Sequence, residues 1–368
     1  MCSSVECEHC SVCHEYIIYL ELQCVRGLPE YDLGRSEMRT VSPKVSIILP
    51  TFNRARFLPK AIESIERQTF QDWELIIVDD GSDDETLDLL PQITQEVAGR
   101  VKVISQINQG PGEARNAGIR AARGELIAFF DSDDTWEEAH LSRCVEQFEM
   151  TSEVDWVYAS FRRIGLPERR VIEADEFHRG GVAAPFLDLK VVAKGDLAII
   201  TDNRALECMI VHGLGVSLRA SVVKRTVFDK VEFPRFRIGE DQALWVRAIS
   251  SGIRFGYVRD VHATAYVHDE NTSNAASGKS IERSVAVLRE LKAALESLQD
   301  LPFTRRESNC LIRRIADLNF WGIGYAYARA GAYSDAIEFM WRGIRLRPMS
   351  PVFWKTYAVT MMRRSFGA

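Results

Sequence analysis

Asp131-Ser132-Asp133-Asp134 and Asp79-Asp80-Gly81-Ser82 are the residues here whose type and spacing most directly suggest chemistry. Each cluster follows an apolar run, Leu126 to Phe130 in one case and Leu75 to Val78 in the other. Two carboxylates two positions apart leave an extended chain on the same side. Paired hard oxygen ligands of that kind suit Mg2+ or Mn2+, which keep part of their water and bridge to substrate phosphates. Strand-end aspartates also serve as plain turn formers; two clusters together, each beside a buried run, favour the metal. Glu240-Asp241 is a third acidic pair. It opens a stretch in which Leu244, Trp245 and Ala248 share a helical face, so it reads as an acidic first turn that complements a helix dipole.

Several chemistries lack their signature. The phosphate loop fails because Ser273 stands where Gly278-Lys279-Ser280 would need its leading glycine. No Gly-x-Gly-x-x-Gly turn follows the first strand, and no Gly-x-Ser-x-Gly elbow occurs. The carboxylates need a scaffold, and the chain alternates short apolar runs with amphipathic stretches, the pattern of a parallel sheet covered by helices. The runs are Val45 to Leu49, Leu75 to Val78, Val101 to Ser105 and Leu126 to Phe130. Phe57, Leu58, Ala61, Ile62 and Ile65 predict a helix that accepts Pro59 in its first turn. A second helix is predicted from Glu113 to Ala122, capped by Gly124. Further strands are expected at Val154 to Arg163 and Gly215 to Leu218, while residues 164–213 resist assignment. Beyond Ser280 the pattern is helical. Trp321, Gly322, Tyr325, Ala328, Gly331, Tyr333, Ala336 and Pro348 resemble one tetratricopeptide-like hairpin.

The 368 residues carry 46% hydrophobic and 27% charged side chains, a composition that argues against collagen-like, disordered and disulfide-scaffold classes. A net charge of −6 offers no electrostatic case for nucleic acid. No apolar run is long enough to span a bilayer. Cys2, Cys7, Cys10, Cys13 and Cys24 crowd the N-terminus without a signal-peptide pattern, so the expected compartment is the reducing cytoplasm. Cys7, Cys10, Cys13 and His14 have zinc spacing. Residues 1–40 nonetheless read as a disordered or misannotated extension, with Met38 a natural start.

Four motifs in order across about ninety residues give the sequence a specific resemblance. Val45-Ser46-Ile47-Ile48-Leu49-Pro50-Thr51-Phe52-Asn53-Arg54, Val78-Asp79-Asp80-Gly81-Ser82, Ala114-Arg115-Asn116-Ala117-Gly118 and Asp131-Ser132-Asp133 look like a family 2 glycosyltransferase of the GT-A fold. The resemblance implies an α/β fold with a mostly parallel nucleotide-binding sheet and a helical C-terminal appendage. It places Pro50, Thr51, Asn53, Asp80, Arg115 and Asp131 on a nucleotide sugar, UDP-linked, and Asp131 and Asp133 on the metal. Arg115 serves packing and ion pairing equally well. The stretch Arg237 to Arg247 resembles the family's Gly-Glu-Asp motif, which makes Asp241 the catalytic base and gives Glu240 a positioning role. Tyr266-Val267-His268 with Ser273 resembles a segment whose histidine completes the metal shell; His262 is a rival to His268. The implied domains are 41–275, with a nucleotide half at 41–150 and an acceptor half at 151–275, followed by helices over 276–368.

The implied reaction is an inverting transfer from a nucleotide sugar to a hydroxyl of a glycan or lipid-linked acceptor, in polysaccharide or cell-surface glycan assembly. Two other readings stand beside it. A nucleotidyltransferase would want a basic triphosphate clamp, and only Arg54 and Arg56 are near the first strand. A noncatalytic carbohydrate- or protein-binding module would have no need of Asp131, Asp133 and Asp241. Trp354, Tyr357, Val359, Met361 and Met362 before Arg363 and Arg364 raise the expectation of peripheral contact with the inner face of a membrane.

Overall fold

The computed structural model describes residues 42–269, 271 and 280–366. The Cys7, Cys10, Cys13 and His14 zinc candidates, Ser273 and the Gly278-Lys279 pair lie outside the described residues.

Among the described residues, eleven strands form one sheet. In chain order they are β1 (Val45–Thr51), β2 (Trp73–Asp79), β3 (Val101–Ser105), β4 (Leu126–Phe129), β5 (Thr135–Trp136), β6 (Trp156–Gly165), β7 (Arg170–Glu173), β8 (Val191–Lys194), β9 (Leu197–Ile200), β10 (Ser221–Lys224) and β11 (Phe255–Val267). The spatial order is β3-β2-β1-β4-β10-β6-β11-β9-β8, with β5 on β11 and β7 on β6. The first four strands run parallel. β1, β2 and β4 are nearly continuous apolar runs buried on both faces, while β3 at the sheet edge stays largely exposed. The helix Leu58–Glu66 buries Leu58, Ala61, Ile62 and Ile65 and takes Pro59 in its first turn, as its spacing predicts.

The chain steps outward from β1 to β2 to β3, and the helix Pro111–Ala121 then returns it to β4, on the other side of β1. That reversal opens a crevice beyond the carboxyl ends of β1 and β4, the place where open α/β sheets bind ligands. Gly118 lets the returning helix lie directly on β1, since a Cβ there would stand 2.5 Å from Ile48 Cγ2.

Two local expectations need correction. Gly124 does not cap the helix, which ends at Ala122 by turning into extended backbone with ψ of 137°. Gly124 is small because β1 passes over it: a Cβ would lie 2.6 Å from the Ser46 nitrogen. Nor is Gly215 to Leu218 a strand. Gly215 has φ of +66° and sits against the Phe186 ring, so the backbone bends there. A 3-10 turn, Leu218–Ala220, follows, and the strand, β10, starts only at Ser221. β10 is antiparallel to both β4 and β6, so the sheet is mixed beyond the parallel block.

The C-terminal part is helical: Ile281–Glu296, Arg305–Asp317 running on through Leu318–Gly324 into Tyr325–Arg329, Tyr333–Leu346 and Pro351–Phe366. Around the turn at Gly331, Gly324 faces Met340 and Gly343 faces Phe320, so the small residues of the hairpin are where the two helices meet. Leu295, Leu298, Leu311 and Ile315 join the same core as Trp156, Leu244 and Phe255. Among the described residues no helix is long and apolar enough to cross a membrane.

Candidate active site

Two acidic segments meet at the crevice. Asp131 and Asp133 leave β4 in a turn closed by the Asp134 N–H donating to the Asp131 carbonyl at 3.0 Å. Glu240 and Asp241 open the helix Glu240–Ser250, whose preceding Gly239 takes φ of +83°. Arg115, in the middle of the helix Pro111–Ala121, joins the two: its Nη2 donates to Asp131 Oδ1 at 3.0 Å and its Nη1 to Glu240 Oε1 at 2.9 Å. A guanidinium is the side chain suited to hold two carboxylates at once in a fixed plane.

Arg219, which the sequence reading missed, adds a second clamp. Its Nη2 donates to Asp131 Oδ2 at 3.2 Å, and its Nη1 lies 3.1 Å from Asp134 Oδ2. Asp133 takes the remaining partners: His268 Nε2 at 3.2 Å, Asn271 Nδ2 at 3.2 Å and Arg54 Nε at 3.8 Å. His268 also stacks on Phe57, with ring centroids 4.3 Å apart. Five carboxyl groups (Asp131, Asp133, Asp134, Glu240 and Asp241) thus face three guanidiniums (Arg54, Arg115 and Arg219).

Burial raises the Glu240 carboxyl to about 7, and neighbouring Asp241 adds to the rise while Arg115 opposes it. Asp241 is also raised by burial, partly countered by the N–H of Gln242. Burial pushes Asp134 well up despite Arg219. Asp133 is opposite: burial alone would raise it, but the His268 hydrogen bond and the Arg219 and Arg54 charges hold it below the usual carboxylate range. Carboxyl groups raised by burial and a carboxylate held ionised therefore coexist in one crevice, a combination typical of functional sites.

The nucleotide candidates lie along the β1 and β2 exits. Thr51 ends β1 beside Pro50, and its buried Oγ1 has no hydrogen-bond partner among the described residues. Asn53, with φ of +53°, stitches the two exits together: its Nδ2 donates to Asp83 at 2.7 Å and its Oδ1 accepts from the Asp83 N–H at 2.9 Å. Asp80 accepts from Gln106 Nε2 and from the Gln109 and Gly110 N–H groups, each at 2.8 Å, and so fixes the loop before Pro111. His262 is not beside Asp133; it pairs with His140 instead, 3.2 Å between Nδ1 atoms.

The family model described as Glycosyl transferase family 2 matches residues 46–223, the segment that carries β1 to β4 and the Asp131–Asp133 turn. Residues 46–223 carry a glycosyltransferase family 2 domain. The chain is similar to TuaG of Bacillus subtilis, whose name assigns it to teichuronic acid biosynthesis: the two are 26% identical over 258 residues, 69% of this chain and 91% of TuaG. Matches to two uncharacterized glycosyltransferases, from Nostoc sp. and Bacillus subtilis, span only 34% and 37% of those relatives. Among solved structures, S. aureus TarS 1–349 in complex with UDP-GlcNAc superposes with a TM-score of 0.57 at 19% identity, over 82% of this chain and 81% of that one. Mannosyltransferase PcManGT of Pyrobaculum calidifontis, in complex with GDP-Man and Mn2+, gives 0.53 at 18% identity over 89% and 88%. What these share with the family 2 domain here is the GT-A fold.

Arg219 and Asn271 escaped the sequence reading because their partners, Asp131 and Asp133, lie 88 and 138 positions away. No periodicity encodes such pairs. The spacing His140-x-x-x-Cys144, one helical turn apart, was visible and unused.

Proposed function

We propose that this family 2 domain is an inverting, metal-dependent glycosyltransferase. It moves a sugar from a UDP-linked donor to a hydroxyl of a glycan or lipid-linked acceptor in polysaccharide or cell-surface glycan assembly. The observation that carries this reading is the Arg115 bridge. One guanidinium ties the Asp131-x-Asp133 turn to Glu240 and Asp241, so groups suited to a diphosphate and groups suited to an acceptor proton sit at one point. The donors in the two solved complexes, UDP-GlcNAc and GDP-Man, support a nucleotide sugar here.

The residues present fit a divalent ion. The crevice holds more carboxyl groups than guanidiniums, and Asp133 is kept ionised beside an imidazole, a donor set that suits Mn2+ and accepts Mg2+. Asp133 and Asp131 would hold the ion, with His268 as a further ligand. Bound there, it supplies charge neutralisation for the departing diphosphate. The chain's own groups do the rest. Thr51, with its free buried hydroxyl, Pro50, Asn53 and Asp80 frame the nucleoside at the β1 and β2 exits. Arg115 and Arg219 fix the Asp131 carboxylate. Asp241 accepts the acceptor hydroxyl's proton at a carboxylate oxygen as the hydroxyl oxygen attacks the anomeric carbon and the bond to the diphosphate breaks. Its raised affinity for a proton makes it a better base than a solvated aspartate. One displacement inverts the anomeric configuration. Glu240, tied to Arg115, holds the helix start in place.

On this reading residues 41–275 form the transfer domain and 276–368 its helical support. The last helix leaves Trp354, Val359, Met361 and Met362 exposed with Arg363 and Arg364 on its final turn, which suits contact with an anionic membrane bearing a lipid-linked acceptor. Loss of vesicle co-sedimentation on removal of residues 349–368 tests that contact.

The donor is tested by thermal shift with UDP, GDP, CDP and ADP, each with and without Mn2+. A Mn2+-dependent rise in Tm with UDP is expected. No rise with any nucleotide would overturn the donor assignment in favour of a noncatalytic module. Release of pyrophosphate in place of a nucleoside diphosphate would mark a nucleotidyltransferase.

A further inference from the structure

Behind the crevice, on the far side of Trp136, lies a polar cluster for which sugar transfer has no use. His140 and Cys144 are one turn apart on the helix His140–Met150, and His262 reaches them from β11. All three side chains are buried. The Nδ1 atoms of the two histidines are 3.2 Å apart, and Cys144 Sγ is 3.8 Å from one and 3.9 Å from the other. Neither Nε2 atom has a hydrogen-bond partner among the described residues.

We propose that His140, Cys144 and His262 form a binding site for Zn2+. Zinc with Zn–N distances of ~2.0–2.1 Å and a Zn–S distance of ~2.3 Å in tetrahedral geometry sets its nitrogens ~3.3 Å apart and each ~3.6 Å from the sulfur. The three separations observed are close to that triangle without any movement of the backbone. Imidazole and thiolate together favour zinc over Mg2+ or Mn2+, so this site and the carboxylate site select different ions. Burial holds both histidines in the neutral form that ligates metal, with Arg143 pushing His262 the same way and Asp260 opposing. Burial also keeps the Cys144 thiol protonated in the metal-free protein. Uptake of Zn2+ then releases one proton, from the thiol, to solvent. The fourth position falls to water: a pocket of about 730 Å³, lined by both histidines with Glu137, Arg143 and Asp260, adjoins the cluster.

A second observation is independent of the side chains. The register of β11 on β6 jumps between Val258 and Val261 and again between Val261 and Ala263, so the strand is bulged at Arg259 and Asp260 and again at His262 itself. Bulges of this kind re-aim a side chain beside a functional site. The ion would pin the helix His140–Met150 to β11, and with it Trp136, whose Nε1 donates to the Arg219 carbonyl.

The test uses the full chain with Cys2, Cys7, Cys10, Cys13 and Cys24 changed to Ser, so that N-terminal thiols contribute nothing. After chelation and dialysis, one Zn2+ per chain is expected to bind and raise Tm, and Co2+ is expected to give a thiolate-to-cobalt charge-transfer band. Cys144→Ala and, separately, His262→Gln should lose the bound zinc and the band with circular dichroism unchanged. Asp133→Asn should keep both, which separates this site from the donor-side metal. A folded parent protein that takes up no zinc and shows no band overturns the proposal. So does a band that survives in folded Cys144→Ala. Should Cys144→Ala not fold, His262→Gln in the same background decides on zinc stoichiometry.

Discussion

Two polar clusters of this molecule meet β11, one at its bulge through His262 and one just past its end through His268, and they differ in how burial is offset. At the crevice Asp133 meets the His268 imidazole and the Arg219 and Arg54 charges and stays ionised, although burial still raises Glu240, Asp241 and Asp134 around it. Behind Trp136 the imidazoles His140 and His262 meet only each other and a thiol, and burial drives them neutral. Desolvation always penalises the charged form; what differs is whether a counter-charge stands within reach. The crevice therefore keeps charge for chemistry on phosphate, and the inner cluster keeps lone pairs for a soft ion.

The contrast is broken most decisively at the catalytic end. Asp241→Asn should lower kcat by about 10²–10⁴-fold, the usual contribution of a general base, while the UDP-dependent thermal shift is retained; unchanged turnover removes Asp241 from the reaction. Next, Arg115→Ala should cost about 3–5 kcal/mol in urea unfolding, because Asp131 and Glu240 are left buried without their shared partner. Arg115→Lys, unable to bridge both, should fall between; a loss below about 1 kcal/mol would mean that the acids relax to solvent.

Proton linkage sharpens the comparison further, on chelated protein. The Glu240 carboxyl, raised to about 7 by burial and Asp241, adds stability that is complete below its unfolded pKa of ~4.3 and is lost as pH rises through 7. His262, lowered to about 4 by burial and Arg143, adds stability that is complete above its unfolded pKa of ~6.5 and is lost as pH falls toward 4. Between pH 4 and 7 the two oppose each other. Glu240→Gln should leave a protein whose stability climbs with pH, and His262→Gln one whose stability declines, each by roughly 1–3 kcal/mol; slopes of the same sign would refute the contrast. The smallest effect belongs to Cys144→Ala in metal-free protein, about 1 kcal/mol from lost packing, growing when zinc is present.

Much of the nucleotide-binding half could be read from sequence because its signals are local. Leu75 to Val78 running into Asp79-Asp80, and Leu126 to Phe130 into Asp131, announce both a buried strand and its polar exit. The acceptor side could not be read so directly. β10 is four residues long and follows a 3-10 turn, and Gly215, which looked like part of a strand, is needed at φ of +66°. Arg219 sits in that turn, where nothing in its neighbours signals the carboxylates it holds. Gly124 was noticed for the wrong reason: its meaning lies in the passage of β1 overhead, a contact across 78 positions.

The bulge in β11 also bears on how the gene can change. His262 sits in the bulge and His268 one residue past the end of β11, joined by the paired run Ala263 to Val267. A codon gained or lost between Ala263 and Val267 would turn one away and disconnect the two clusters at a stroke. At exposed Arg259 and Asp260, where the register already slips, the same event could be absorbed. Length variation among natural variants of this chain should therefore collect at the bulge and spare the five residues that follow His262.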